Sequence, residues 1–134
     1  MFLEYFAPID DYRPVLLTYG TSPAEAGTLR EVALRLAASG SGESAGAQIA
    51  ELSGFQGIDD CSLLAEVSSV KLGVVPIDGS GLAFRCVLDT SCWQRVAGLL
   101  EPFAAARPIL NPNGFQYLDE SGPIDWIISG SRGW

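Results

Sequence analysis

The chain has 134 residues, of which 48% are hydrophobic and 18% charged, and its formal net charge is −8. This length fits a single domain spanning residues 1–134, and the apolar content argues against disorder. With 16 acidic residues against 8 basic ones, the chain repels nucleic-acid phosphates and anionic lipid surfaces. We therefore expect no nucleic-acid partner and no membrane partner, whereas the same charge attracts a basic protein.

Cysteine and histidine usage limits the metal and redox chemistry. The chain has three cysteines, Cys61, Cys86 and Cys92, no CxxC pair and no histidine, so a tetrahedral Cys/His zinc site lacks its ligands. Neither a secretory leader nor the run of about 18 apolar residues that a membrane span needs is visible. We expect reduced structural thiols, no cofactor and a cytoplasmic protein.

The first predicted elements are two strands and a capped helix. Phe2–Phe6 is an aromatic-rich strand, and Val15–Tyr19, apolar on both faces, is typical of a central, covered strand. Residues 22–25, SPAE, have the spacing of a capping box with proline at the first helical position. An apolar stripe at helical spacing follows, and we expect the helix to end near residues 39–40.

A glycine-rich loop and short strands are predicted next. Residues 39–46, SGSGESAG, form the loop, because they lack the Gly-Lys-Ser/Thr ending of a phosphate-binding loop. Segments 47–53 and 62–68 are predicted strands, with a loop at 55–60 between them.

A hairpin and a second helix complete this part of the prediction. Segments 70–77 and 82–89 flank a turn with two glycines at 78–81. Ser91 and the glutamine three residues later repeat the capping-box spacing, and Pro102 is expected to kink or end the helix one residue earlier.

The end of the chain is predicted to contain a rigid loop and a last hairpin. Residues 108–114, PILNPNG, form the loop, and segments 115–118 and 124–129 form the hairpin.

The order of predicted elements repeats along the chain. Thr90-Ser91 lies 69 residues after Thr21-Ser22, and each half reads strand, strand, helix, strand, strand. We favour a similarity of architecture over a true duplication. The predicted fold is α+β, a largely antiparallel twisted sheet with two helices packed on one face, in the order ββαββ-ββαββ. The predicted core contains Leu17, Leu29, Val32, Leu36, Phe84, Leu88, Trp93, Leu100 and Trp126.

Few side chains offer catalytic chemistry. Without histidine, the commonest general base is missing, and amine chemistry rests on Lys71 alone. Cys92 is predicted in the first turn of the second helix, where the helix dipole favours a thiolate. The acidic doublets are typical of solvated turns.

The sequence therefore predicts a small acidic protein-binding domain without catalytic activity, of the inhibitor or immunity type, for a basic partner. One alternative is a homo-oligomeric structural or small-ligand-binding protein, such as a homodimer. Another is an enzyme that uses carboxylates or a reactive cysteine. The predicted partner-binding residues are Asp59, Asp60, Asp119, Glu120 and Asp125.

Overall fold

The structure, a computed structural model, describes residues 1–20, 22–39, 46–77, 79, 81–105 and 114–130. In this part of the chain the helices are α1 (Pro23–Ala38) and α2 (Thr90–Ala104). The strands are β1 (Phe2–Phe6), β2 (Val15–Tyr19), β3 (Gly46–Gln48), β4 (Gln56–Gly57), β5 (Ser62–Val67), β6 (Gly73–Pro76), β7 (Ala83–Leu88), β8 (Phe115–Asp119) and β9 (Asp125–Ser129). Thr21 of the predicted repeat, and most of the predicted loops at 39–46 and 108–114, lie outside the described residues, as do two residues of the turn at 78–81.

The strands form two mixed sheets, which corrects the prediction of one largely antiparallel sheet. The five-stranded sheet has the order β4-β1-β2-β9-β8, and the four-stranded sheet has the order β3-β5-β7-β6. Each sheet contains two antiparallel pairs joined by a parallel pair, β2–β9 in one and β5–β7 in the other. In the five-stranded sheet, β4 adds a second parallel pairing, with β1. The fold class is α+β, as predicted.

The parallel pairs arise because each helix carries the chain from one sheet to the other. The β1–β2 hairpin leads through α1 to β3 and β5 in the four-stranded sheet. The β6–β7 hairpin leads through α2 to the β8–β9 hairpin in the five-stranded sheet. Strands from different halves of the chain therefore meet at the centre of both sheets. The observed order also differs from the predicted one, since it contains the additional strand β4.

One core cluster contains side chains from both sheets and both helices. All nine predicted core residues are buried, with no more than 5% of any of them exposed. The rings of Trp93 and Trp126 meet edge to face with centroids 6.2 Å apart, which joins α2 to β9. The rings of Tyr5 and Phe84, 4.8 Å apart, join β1 to β7. The helices also pack against each other, so their apolar stripes cover two sheets rather than one face of a single sheet.

The helix ends differ in part from the predicted ones. Ser22 occupies the N-cap of α1, but its side chain makes no capping bond to the backbone. At α2 the N-cap is Asp89 rather than Ser91, because the Asp89 carboxylate accepts a 2.8 Å bond from the backbone N–H of Cys92. Pro102 does not end α2 one residue earlier, since the helix continues to Ala104. Proline at this position removes the backbone donor to the Gly98 carbonyl, and the helix ends two residues later.

The middle of the chain is more irregular than predicted. The strand predicted at 47–53 is limited to β3, and Ile49–Glu51 then forms a single 3₁₀ turn. The segment predicted as a loop, 55–60, contains β4 and a second turn, Ile58–Asp60. These residues place the edges of both sheets side by side.

Candidate functional site

The predicted partner-binding residues fall into two groups at opposite edges of the five-stranded sheet. Asp59 and Asp60 lie in the 3₁₀ turn that directly follows β4, the strand at one edge. Asp119 ends β8 at the other edge, Glu120 follows it, and Asp125 begins the neighbouring strand β9. The structure therefore does not bring the five carboxylates together, and only one group at a time can face a single small contact patch.

The second group is largely engaged within the protein. Asp119 is 7% exposed, and its carboxylate accepts bonds from the Ser121 hydroxyl at 2.7 Å and from the Ser121 backbone N–H at 3.2 Å. The Asp125 carboxylate lies 3.1 Å from the guanidinium of Arg13. Glu120 is the exposed member of this group. Asp119 and Asp125 therefore stabilise the β8–β9 turn through contacts within the protein, and neither carboxylate is free to bind a partner without giving up these contacts.

The first group is exposed and held in an uncommon backbone conformation. Asp59 and Asp60 have φ values of 54° and 61°, so two consecutive non-glycine residues are left-handed. The turn is closed by a 3.0 Å bond from the backbone N–H of Cys61 to the carbonyl of Ile58. A Cβ atom at Gly57 would lie 1.8 Å from the Cys61 carbonyl oxygen, so only glycine fits there. The turn thus projects two carboxylates into solvent at some cost in backbone energy.

An acidic cleft of about 550 Å³ lies beside this turn. It opens between the edges of the two sheets, with Gln48 at the end of β3 on one side and Gln56 of β4 on the other. Glu51 and Asp60 supply carboxylates, and no Lys or Arg belongs to the described residues that line it. The side-chain oxygen of Gln48 is buried and accepts no hydrogen bond within the described part of the chain. The cleft is therefore equipped to accept hydrogen bonds from a positively charged group.

The cleft coincides with a long stretch of the sequence that carries acidic but no basic residues. Residues 36–70 contain no Lys or Arg. The acidic residues of the same stretch are Glu43, Glu51, Asp59, Asp60 and Glu66. The net charge of the whole chain does not reveal that residues 36–70 carry only acidic charges. Nothing in the sequence singles out Glu51 and Gln48, because each is an isolated polar residue in an apolar segment.

The thiols are poorly suited to nucleophilic chemistry. Burial raises the pKa of Cys61 to about 11 and that of Cys86 well above its usual value. Burial also raises the pKa of Cys92, and the hydrogen bond and the charge of Asp89 raise it further, against a smaller opposing effect of Lys71. Burial and Asp89 therefore oppose the thiolate that the helix dipole would favour at Cys92.

Within the described ranges, no three His, Cys, Asp or Glu side chains lie close enough together to hold a metal ion. No helix in the described part of the chain has the length and apolar character that crossing a bilayer requires.

Comparisons with protein-family models, with curated proteins and with solved structures gave no match to this chain.

Proposed function

We propose that this chain is a non-catalytic, cytoplasmic protein-binding domain of the inhibitor or immunity type, and that it binds a basic protein through the acidic cleft. The observation that carries the proposal is the pairing of Asp59 and Asp60 in a left-handed turn beside that cleft. Non-glycine residues in this conformation are uncommon and cluster at functional positions, so the turn itself suggests a role. Three free cysteines accord with a reducing compartment.

The chemistry of the cleft favours a Lys or Arg side chain of the partner. The cleft carboxylates come from Glu51 and Asp60, and Asp59 adds a third charge at the same edge. A basic side chain inserted there would donate charge-assisted hydrogen bonds to the carboxylates and to the Gln48 oxygen. The negative edge would also accelerate the encounter with a basic protein, an effect that salt screens.

The experiment compares two variants that lose the same charge. Asp59→Asn combined with Asp60→Asn neutralises the turn, and asparagine tolerates its left-handed backbone. Asp10→Asn combined with Asp11→Asn neutralises an exposed doublet in the β1–β2 connection and serves as the matched control. Each protein is immobilised and exposed to a native lysate, and the retained proteins are identified and purified for affinity measurement.

The proposal requires a basic protein that wild type and the Asp10/Asp11 control retain at low salt. The Asp59/Asp60 variant should retain less of it, and its association rate should fall at least severalfold. Raising the ionic strength from about 0.05 M to about 0.5 M should abolish the difference, because the Debye length then shrinks to a few ångströms. Equal loss in both variants, or no retained basic protein, would contradict the proposal.

A further inference from the structure

A cavity of about 420 Å³ lies on the face of the five-stranded sheet that points away from the core. Along β9, Ile127 alternates with Trp126 and Ile128, which belong to the core cluster, so its side chain points to the opposite face. Four strands contribute the apolar side of the cavity, with Phe6, Val15, Ile127 and Tyr117. A volume of this size is typical of sites for small molecules.

The β1–β2 connection holds two large side chains at the opening of this cavity. Ile9 and Tyr12 line it, yet they are 71% and 77% exposed. A turn defines the backbone that carries them, with the backbone N–H of Tyr12 bonded to the Ile9 carbonyl at 3.1 Å and Asp10 left-handed at φ 54°. Exposed apolar side chains around a cavity gain free energy when a ligand covers them.

One polar pair interrupts the apolar lining. Asp125 and Arg13 both line the cavity, and the Asp125 Oδ1 atom lies 3.1 Å from Arg13 Nη2. Arg13 Nη2 donates its hydrogen bond to the carbonyl of Gly122. The Oδ1 atom of Asp125 is buried and, among the described residues, receives no hydrogen bond of acceptable geometry. A carboxylate oxygen that is ion-paired but accepts no hydrogen bond is a group to which a ligand N–H can donate when it takes the place of the Arg13 guanidinium.

The surrounding charge favours a positive ligand. Burial has the largest effect on the pKa of Asp125 and raises it; Arg13 lowers the pKa, and the carboxylates of Glu120 and Asp119 raise it by smaller amounts. These four side chains together carry more negative than positive charge. The rings of Tyr12 and Tyr117 add negative faces, which attract an ammonium group.

We propose that this cavity binds a small organic ammonium ion, whose N–H donates to Asp125 Oδ1 and whose apolar body lies against Phe6, Val15 and Ile127. The ligand is a free small molecule, because the cavity volume matches one and Asp125 is the one carboxylate among the described residues that line the cavity. This site is separate from the acidic cleft and does not depend on it.

Three probes of similar shape and different charge test the proposal by ligand-observed NMR and calorimetry. Phenethylammonium should bind the cavity, and phenethyl alcohol should bind about tenfold more weakly because it lacks the charge. Hydrocinnamate, the anion, should show no binding. The proposal is overturned if none of the probes binds or if the anion binds as well as the cation.

Variants locate the bound probe. Asp125→Asn should weaken phenethylammonium about tenfold, and Tyr12→Ala should weaken it about threefold. Arg13→Gln should strengthen binding, because it removes the cation that competes for Asp125; this variant keeps the test valid even where Asp125→Asn does not fold. Val70→Ala, which truncates a 63% exposed side chain outside the cavity, is the matched control and should bind as wild type does.

Two further outcomes would contradict the assignment. Unchanged binding in both Asp125→Asn and Tyr12→Ala would place the probe elsewhere. Light scattering that shows a dimer, dissociated by Tyr12→Ala, would assign the cavity to a second copy of the chain instead of a small molecule.

Discussion

The indole N–H of Trp126 donates a 2.9 Å hydrogen bond to the hydroxyl oxygen of Thr18, and both side chains are completely buried. The bond links two strands whose residues are 108 positions apart in the sequence, at the parallel pair in the five-stranded sheet. It allows a tryptophan to fill the core without leaving its one donor unsatisfied.

Removal of this acceptor should therefore destabilise the protein. Thr18→Val keeps the shape of the side chain but leaves the Trp126 N–H buried without a partner, which costs about 1–3 kcal/mol. Thr18→Ser should retain the hydrogen bond and therefore lose less stability than Thr18→Val. Thr28→Val is the matched control, since the Thr28 hydroxyl makes only an exposed bond to the Ala24 carbonyl. Urea unfolding followed by tryptophan fluorescence measures the differences. A Thr18→Val variant as stable as the control would show that the bond contributes nothing.

The same pair shows what the sequence could and could not predict. Alternation and apolar content located β2 and β9 to within one residue, because these patterns are local. Nothing local indicates that the two strands pair in parallel, since the pairing follows from where α1 and α2 carry the chain. Consecutive strands joined by a short connection usually pair as an antiparallel hairpin. The prediction of one antiparallel sheet applied this rule to all the strands, including those separated by a helix in the chain, which pair in parallel.

The candidate site was predictable only in part, for a similar reason. Acidic doublets are visible in the sequence, so Asp59 and Asp60 were identified. Their distance from Asp119 and Asp125 depends on the sheet order, which places the two groups on opposite sides. The burial of Asp119 depends on Ser121 and on the close approach of the other sheet, neither of which a doublet reveals.

The two sheets meet at a contact that only glycine allows. A Cβ atom on Gly73 would lie 2.3 Å from the backbone nitrogen of Gly122, and the φ of Gly73 is +71°. The adjacent residues Val74 and Ile124 form an isolated bridge between the sheets. Gly73→Ala therefore combines backbone strain with a clash that no side chain can relieve.

Substitutions at two other glycines distinguish the cost of backbone strain from the cost of the steric clash. Gly79 has a similar φ of +73°, but no atom of the described residues lies near its Cβ position, so Gly79→Ala should cost only the backbone strain of about 1–2 kcal/mol. Gly27 lies in α1 with open space around it, so Gly27→Ala should stabilise the protein by about 0.5–1 kcal/mol. Chemical unfolding should show a loss for Gly73→Ala that exceeds the loss for Gly79→Ala. Equal losses of stability in the two variants would mean that the sheets can move apart at this contact without a loss of free energy.

The cap of α2 should make stability depend on pH. The pKa of Asp89 is lowered, mainly by the hydrogen bond from the Cys92 backbone N–H and further by the Cys92 and Ser91 side chains. Because the folded pKa lies below the unfolded value of about 3.9, the stabilisation is present above that value and is lost as the pH falls through the folded pKa.

Melting curves of wild type and Asp89→Asn test this dependence. Near neutral pH the variant should melt a few degrees lower, because it keeps an acceptor but loses the charge at the helix N-terminus. The two melting temperatures should converge as the pH falls through the lowered pKa of Asp89. Glu101→Gln, which removes an acid near the opposite end of α2, should not lower the melting temperature. A difference that persists unchanged in acid would exclude ionisation of Asp89 as its cause.

The same aspartate should suppress the reactivity of Cys92. Because burial and Asp89 raise the pKa of this thiol, less of it is thiolate at neutral pH than in a free cysteine. Native protein treated with iodoacetamide at about pH 8 should be alkylated at Cys92 more slowly than glutathione is, since the thiolate is the nucleophile. Cys61 and Cys86 are buried and should react only after unfolding. Asp89→Asn should accelerate the alkylation of Cys92 and leave the buried thiols unchanged, as peptide mass spectrometry can measure. Alkylation of wild-type Cys92 faster than that of glutathione would contradict the raised pKa. It would support the alternative that the protein is an enzyme with a reactive cysteine.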